Sequence, residues 1–140
     1  MLNSRKVRFE YSTNGSNPAG SDFNTVLATS TWYHVAVVRN GTTIKCYIDG
    51  TAEATTINIS TNTIYNSTAD VYIGFLANSE HYFYGNLDEI RVLKGVAAWT
   101  GNFTIPSAEY SETYDCISST TCGEPTSGDS GKIQRFFLVF

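Results

Sequence analysis

The stretch TWYHVAVVRNGTTIKCYIDG, residues 31–50, contains two runs of strand-forming residues joined by Asn40-Gly41. A second turn signal, Asp49-Gly50, ends the stretch. Asn-Gly and Asp-Gly are typical centres of two-residue β-hairpin turns, because both residues tolerate the positive φ angles that match the twist of the flanking strands. The stretch therefore predicts an antiparallel hairpin that begins a sheet.

Taking Asn40 and Gly41 as the turn fixes which side chains share a face of this hairpin. One face is almost wholly apolar and belongs in a core; it pairs Val37 with Ile44, Val35 with Cys46 and Tyr33 with Ile48. The other face is amphipathic; it pairs Val38 with Thr43, Ala36 with Lys45, His34 with Tyr47 and Trp32 with Asp49. We expect the second face to be half solvated. Two interpretations remain open: neighbouring backbone satisfies Trp32 and His34, or the rings form a platform for sugars.

The rest of the chain has the same punctuated pattern. Aromatic residues make up 14% of the 140 residues, and β-branched and turn-forming residues are plentiful, which favours strands over helices. Only residues 95–100 could form a single helical turn. Strand-like runs recur between turn signals at residues 6–11, 25–28, 32–39, 43–49, 70–75, 86–93 and 133–140. This spacing predicts an antiparallel sandwich or barrel.

Charge and cysteine content exclude several classes of function. The net charge is −4 and no basic run is present, so we expect no nucleic-acid partner. The N-terminal residues contain no apolar stretch long enough for a signal peptide or a membrane span, so no membrane partner is predicted. Cys46 is expected to be a small buried hydrophobe. Cys116 and Cys122 either form a local disulfide or remain thiols, and their spacing lacks a zinc pattern, so no cofactor or metal is predicted.

Five ordered motifs carry a family resemblance: Trp-x-His-Val-Ala, Tyr-x-Asp-Gly, Ile-Gly, Gly-x-Leu-Asp-Glu-x-Arg and Phe-x-x-Pro. They lie at Trp32, His34, Val35 and Ala36; Tyr47, Asp49 and Gly50; Ile73 and Gly74; Gly85, Leu87, Asp88, Glu89 and Arg91; and Phe103 with Pro106. Together they cover about residues 25–110 and resemble the laminin-G-like branch of the concanavalin A-like lectin/glucanase superfamily. The resemblance implies an all-β fold, an antiparallel two-sheet jelly-roll sandwich.

The resemblance also implies a domain organisation. The N-terminal Phe-Thr-x-Glu-x-Trp strand of such domains is absent, so we expect an N-terminally incomplete sandwich over residues 1–115. A Ser/Thr/Gly-rich linker, residues 116–131, and an apolar C-terminal strand, residues 132–140, follow. A soluble monomer rarely exposes such a segment, so we expect it to complete the fold or to mediate assembly. The side chains predicted to do so are Phe136, Phe137, Leu138, Val139 and Phe140.

No catalytic constellation is evident. Glucanases of this superfamily use carboxylates that project toward the same sugar, whereas Asp88 and Glu89 are adjacent and would point to opposite faces of a strand. We therefore expect no enzyme, with Asp88 accepting backbone hydrogen bonds beside a turn. Calcium occurs in many laminin-G relatives, and a site built from Asp22, Asp70 or Asp88 remains the alternative to no metal.

The loop ANSEHYFYGN, residues 77–86, is the predicted ligand site, because loops on rigid sandwiches often bind and amide, imidazole and Tyr groups suit sugars. Its candidate glycan-binding residues are Asn78, Glu80, His81, Tyr82 and Tyr84. The alternative is a Tyr-rich hairpin that packs its own rings. Trp99 is expected to anchor its turn to the core rather than to stack on a ligand.

These features predict a non-catalytic module that serves as a structural, decoration or attachment component of a larger assembly, with glycan binding as a further capacity. The expected partners are other protein subunits, in a homo-oligomer or a phage virion (capsid decoration, tail or fibre), and cell-surface glycans. The alternatives are a carbohydrate-binding adhesin module of a bacterial surface protein and a remnant glucanase. The expected location is a virion or a cell surface. The prediction of this function rests on analogy with other proteins of the same fold.

Overall fold

The computed structural model describes residues 5–76 and 81–107, which contain antiparallel strands and no helix. The first hairpin pairs β1 with β2, the central sheet has the order β3-β4-β5, and a short hairpin pairs β6 with β7. The strands are β1 Lys6–Ser12, β2 Pro18–Val26, β3 Val35–Asn40, β4 Thr43–Ile48, β5 Thr51–Asn58, β6 Phe75–Leu76 and β7 His81–Tyr82. The prediction of an all-β fold of antiparallel strands is confirmed for this part of the chain.

The hairpin of β3 and β4 forms where the sequence predicts it, but its turn is Gly41-Thr42 rather than Asn40-Gly41. Asn40 pairs with Thr43, so the predicted register was wrong by two residues. Gly41 takes a φ of +58° at the first central position of the turn, the place where type II′ turns require glycine. Because the error is an even number, every side chain keeps its predicted face.

One face of the central sheet packs against the first hairpin and forms the main core. Its buried side chains come from β1 to β5 and the residue after β5: Val7, Phe23, Val35, Ile44, Cys46, Ile48, Ile57 and Ile59. The face predicted to be apolar is therefore buried, and Cys46 is fully inaccessible, as expected of a small hydrophobe. Burial, with a smaller contribution from Glu53, raises the pKa of the Cys46 thiol to about 12.

Glu53 joins the first hairpin to the central sheet. Its carboxylate accepts hydrogen bonds from the backbone N–H groups of Asn24 and Thr25, at 2.5 and 2.7 Å, and from the Thr25 hydroxyl. The Thr55 N–H donates in the opposite direction to Asn24 Oδ1 at 2.7 Å. β2 and β5 are thus held together by side-chain bonds, which fixes the first hairpin over the core.

Several strand predictions need correction. The strand predicted at residues 25–28 is β2, which starts seven residues earlier and spans Pro18–Val26. β5 was not predicted, because its sequence TAEATTIN has few large apolar residues; it forms because the Asp49-Gly50 turn, with φ of +48° and +76°, returns the chain beside β4. Of the run predicted at residues 70–75, only Phe75 lies in a strand, and residues 86–93 contain none. Within the described residues, 70–74 lie in no strand, and in 86–93 Arg91 forms an isolated β-bridge without a strand around it.

Candidate functional site

The second face of the central sheet is covered by residues 97–103, here termed the docking segment. Ala36, Val38 and Tyr47 are buried on this face, and Tyr47 has no accessible surface. The side chains that pack against them are Ala52, Ala97, Trp99 and Phe103. The prediction of a half-solvated face was therefore wrong for this region, because a segment about fifty residues later in the chain returns to cover it.

Backbone and side-chain hydrogen bonds hold the docking segment against β5 and its turn. The Phe103 N–H donates to Gly50 O at 2.9 Å, and the Ala52 N–H donates to Asn102 Oδ1 at 2.9 Å. Gly50 has a φ of +76°, and a Cβ at this position would lie within 2.0 Å of Phe103 O. The close approach of the two backbones therefore requires glycine.

Four rings meet where the docking segment contacts β3 and β4. Trp99 and Phe103 are stacked with centroids 4.0 Å apart and planes 10° apart. The His34 ring meets Trp99 edge-on at 5.7 Å and Phe103 edge-on at 5.4 Å, and Tyr47 lies 5.5 Å from Phe103. The prediction that Trp99 anchors its turn to the core is confirmed. Trp32, which is 66% exposed, takes no part in this cluster, so the alternative in which Trp32 and His34 form one platform for sugars is not realised.

His34 lies beside Asp49 as well as beside the rings. The His34 backbone N–H donates to Asp49 Oδ1 at 2.8 Å, and the Asp49 N–H donates to His34 O at 2.8 Å. Burial lowers the pKa of His34, and the negative charge of Asp49 opposes that shift only in part. The imidazole is therefore held in its neutral form more firmly than a solvated histidine.

A cavity of about 180 Å³ opens between the docking segment and the end of the β3–β4 hairpin. It is lined by Val38, Asn40, Thr43, Lys45, Tyr47, Trp99 and Thr100. The lining combines an indole ring with one cation, one amide and hydroxyl groups, the mixture of apolar surface and a few polar groups that marks small-molecule sites. Its volume is below the roughly 300–1,000 Å³ of sites for drug-sized ligands, so it suits one ring-sized group.

The sequence had already placed four of these residues on one face: Val38, Thr43, Lys45 and Tyr47. Asn40 was assigned to the turn, and Trp99 and Thr100 were assigned no ligand role. No local signal links residues 99 and 100 to this hairpin, because their contact with it depends on how the chain returns. The sequence therefore did not predict the cavity, although the alternation of side chains along the two strands had placed four of its seven lining residues on one face.

The predicted ligand loop is described only in part. The Tyr82 ring packs against the Phe75 ring with centroids 5.0 Å apart. This contact agrees with the alternative prediction, in which the hairpin packs its own rings. Tyr84 is 94% exposed, so its ring faces are open to a ligand. Neither Tyr lines the cavity. Asn78, Glu80 and the side chain of His81 lie outside the described residues, as do Cys116, Cys122 and the predicted assembly residues 136–140.

Two of the acidic residues considered for catalysis or calcium accept hydrogen bonds from neighbouring groups. The Glu89 N–H donates to Asp88 Oδ1 at 2.9 Å, which confirms that Asp88 accepts a backbone hydrogen bond. Asp22 accepts a 2.9 Å hydrogen bond from Arg8 Nη1. In residues 5–76 and 81–107, no group of three or more His, Cys, Asp or Glu side chains is arranged to hold a metal ion.

The described part of the chain contains no helix long and apolar enough to cross a membrane.

Comparison with known proteins gives one result. A laminin-G family model, described as Concanavalin A-like lectin/glucanases superfamily, matches residues 1–100. No curated protein and no solved structure matches the chain. The match spans all seven described strands and reaches Trp99 in the cavity wall. It also includes residues 1–24, which lie outside the stretch that carries the motif resemblance.

Proposed function

Because the chain belongs to the concanavalin A-like lectin/glucanase superfamily, in a laminin-G family, we propose that it is a non-catalytic module that binds carbohydrate in the cavity beside Trp99. The proposal includes a two-sheet jelly-roll sandwich, in which the first hairpin and the central sheet supply facing layers of one core. The core shared by β1 to β5 supports this arrangement.

The observation that carries the proposal is the lining of the cavity. An indole ring offers an apolar surface on which the C–H face of a pyranose can pack. The Asn40 amide and the hydroxyl groups of Thr43 and Thr100 provide donors and acceptors for sugar hydroxyl groups. Trp99 is fixed by its stack on Phe103, so little side-chain entropy is lost when a ligand packs against it.

The arrangement of carboxylates supports a binding role rather than hydrolysis. A glycosidase needs two carboxyl groups that flank the scissile bond, separated by roughly 5–9.5 Å. No carboxylate lines the cavity, and Asp88, the strongest candidate by sequence, is bonded to the backbone of its neighbour. Cleavage of a glucan by the purified protein would overturn the non-catalytic proposal.

A glycan array tests the location of the site with matched variants. Asn40→Ala removes an exposed amide at the cavity, and Tyr84→Ala removes an exposed ring of the 77–86 loop; neither side chain is in the core. If the cavity binds sugar, the wild type and Tyr84→Ala bind the same glycans and Asn40→Ala binds them more weakly. If instead Tyr84→Ala binds the glycans more weakly and Asn40→Ala binds them as the wild type does, the binding site is the 77–86 loop. An array on which the wild type binds nothing contradicts carbohydrate binding.

A second candidate function is that of a subunit in a larger assembly, with the virion and the bacterial cell surface as its two settings. It is favoured by large apolar side chains exposed between residues 64 and 96, among them Val71 at 79% and Val92 at 67%. Exposed apolar surface of this kind marks protein–protein contacts. The native mass by light scattering, with and without residues 132–140, tests it. A monomer in both forms contradicts assembly.

A further inference from the structure

Lys45 is the one charged residue among the seven that line the cavity. It lies in the middle strand of the central sheet, where its backbone pairs with Val38 of β3 and Thr56 of β5. No Asp or Glu lines the cavity, and Lys45 forms no ion pair with a described residue. A cation is thus held in a concave site without a counter-charge from its wall.

Two arginines on other strands are engaged with neighbouring groups. Arg8 is bonded to Glu10 and Asp22 at 2.7 and 2.9 Å. The Arg39 guanidinium donates to the backbone oxygens of Gly41 and Asn62 at 3.0 and 3.1 Å. Lys45 differs from both arginines in lining the cavity, and it forms no ion pair with a described residue. In a chain of net charge −4, a concave site with only positive charge is a distinct feature.

We propose that the cavity selects a sugar residue that carries an acidic group, and that Lys45 binds that group. The inference rests on the proposed carbohydrate binding and specifies its ligand class. The sugar ring packs beside Trp99, its hydroxyl groups bond to Asn40 and Thr100, and its carboxylate or sulfate accepts from the Lys45 ammonium. The volume of about 180 Å³ limits recognition to one residue, at the end of a glycan or on a branch.

Charge explains why the acidic group would dominate selection. A hydrogen bond to an ionised partner is stronger than a neutral one, and the difference corresponds to roughly tenfold in affinity at a partly exposed site. Attraction between Lys45 and an anion is also screened by salt, because the side chain is only partly buried. Acidic sugars should therefore bind more weakly as ionic strength rises, whereas neutral sugars should not.

Matched sugar pairs test the inference. The isotopically labelled protein is titrated with glucose and glucuronic acid, with galactose and galacturonic acid, and with galactose 6-sulfate, and amide shifts in the NMR spectrum give the affinities. Wild type is compared with Lys45→Gln and with Lys94→Gln, which removes an exposed lysine that does not line the cavity. Unshifted signals from the β1–β2 core in each variant confirm that the fold is kept.

The expected result is that an acidic sugar binds about tenfold more tightly than its neutral partner, in wild type and in Lys94→Gln, and that Lys45→Gln removes the preference. The sulfate arm distinguishes a site for carboxylates from one for either anion. Equal binding of neutral and acidic sugars, unchanged in Lys45→Gln, overturns the inference and leaves carbohydrate binding intact. No shift of cavity residues with any sugar overturns both.

Discussion

Replacing Phe103 by Ala tests whether the docking segment is held to the central sheet by its aromatic cluster. The Phe103 ring contacts all three of the others, with Trp99 stacked on it and His34 and Tyr47 against it. Its backbone N–H bond to Gly50 does not involve the side chain and survives the substitution. Any loss of stability therefore reports on the ring.

The expected loss follows from the packing of that ring. A fully buried Phe→Ala change costs about 3–5 kcal/mol, and Phe103 is partly exposed, so burial accounts for less than that. The stack on Trp99, with its centroids 4.0 Å apart, contributes about 0.5–1.5 kcal/mol beyond burial. We expect the free energy of unfolding to fall by about 2–3 kcal/mol in total.

Urea denaturation followed by circular dichroism measures this loss. Tyr84→Ala is the control, because Tyr84 is 94% exposed and lies outside the cluster; its loss should stay below about 1 kcal/mol. Amide exchange adds a local readout: the Phe103 and Ala52 amides should exchange faster in Phe103→Ala, while those of β1 keep their protection. Equal losses in the two variants, or unchanged exchange at Ala52, would refute the reasoning.

Three further predictions concern the turn, the inter-sheet bonds and the histidine. Gly50→Ala should lower the free energy of unfolding by about 2 kcal/mol or more, because its Cβ would clash with Phe103 O. Gly41→Ala is the control: Gly41 also has a positive φ but nothing within 4 Å of its Cβ position, so the substitution should cost about 1 kcal/mol. Equal costs of the two substitutions in urea denaturation would count against the clash. Glu53→Ala should cost about 2–3 kcal/mol through lost hydrogen bonds to β2, and Glu53→Gln, which keeps one acceptor oxygen, should recover part of it in the same assay. Burial lowers the pKa of His34 below 6.5, so the unfolded chain binds a proton more readily; the stabilisation is present above that value and lost as the pH falls. His34→Gln should therefore reduce the fall in the urea midpoint between about pH 7.5 and 5.5, and an unchanged fall would assign it to other groups.

The central hairpin illustrates how far local pattern reaches. Alternation along residues 35–48 placed Val35 and Cys46 on one face and Lys45 and Tyr47 on the other, and both assignments hold in the structure. The turn itself was misplaced by two residues, yet the faces survived, since side chains alternate with a period of two. β5 escaped prediction because Thr, Ala and Glu give weak alternation; the preceding Asp-Gly turn was the better signal for it.

The candidate site was less accessible to such reasoning. The sequence favoured the 77–86 loop for its density of polar and aromatic residues, a local property. The cavity instead joins residues 38–47 to Trp99 and Thr100, and a hydrogen bond from the Tyr47 hydroxyl to Trp99 O, 3.5 Å long, spans 52 positions of sequence. Trp99 was correctly expected to contact the core, but nothing in its neighbourhood indicates which sheet face it covers.

Thus the sequence by itself determined the class of fold, the family and the two faces of the central hairpin, because strand periodicity and turn chemistry act between near neighbours. Tertiary structure decided what covers the second face and where a ligand-sized space remains. That outcome depends on the approach of two backbones at Gly50 and Phe103, which requires the absence of one Cβ and the return of a distant segment. Such a contact has no period in the sequence, so only the folded chain reveals that Lys45 and Trp99 line one cavity.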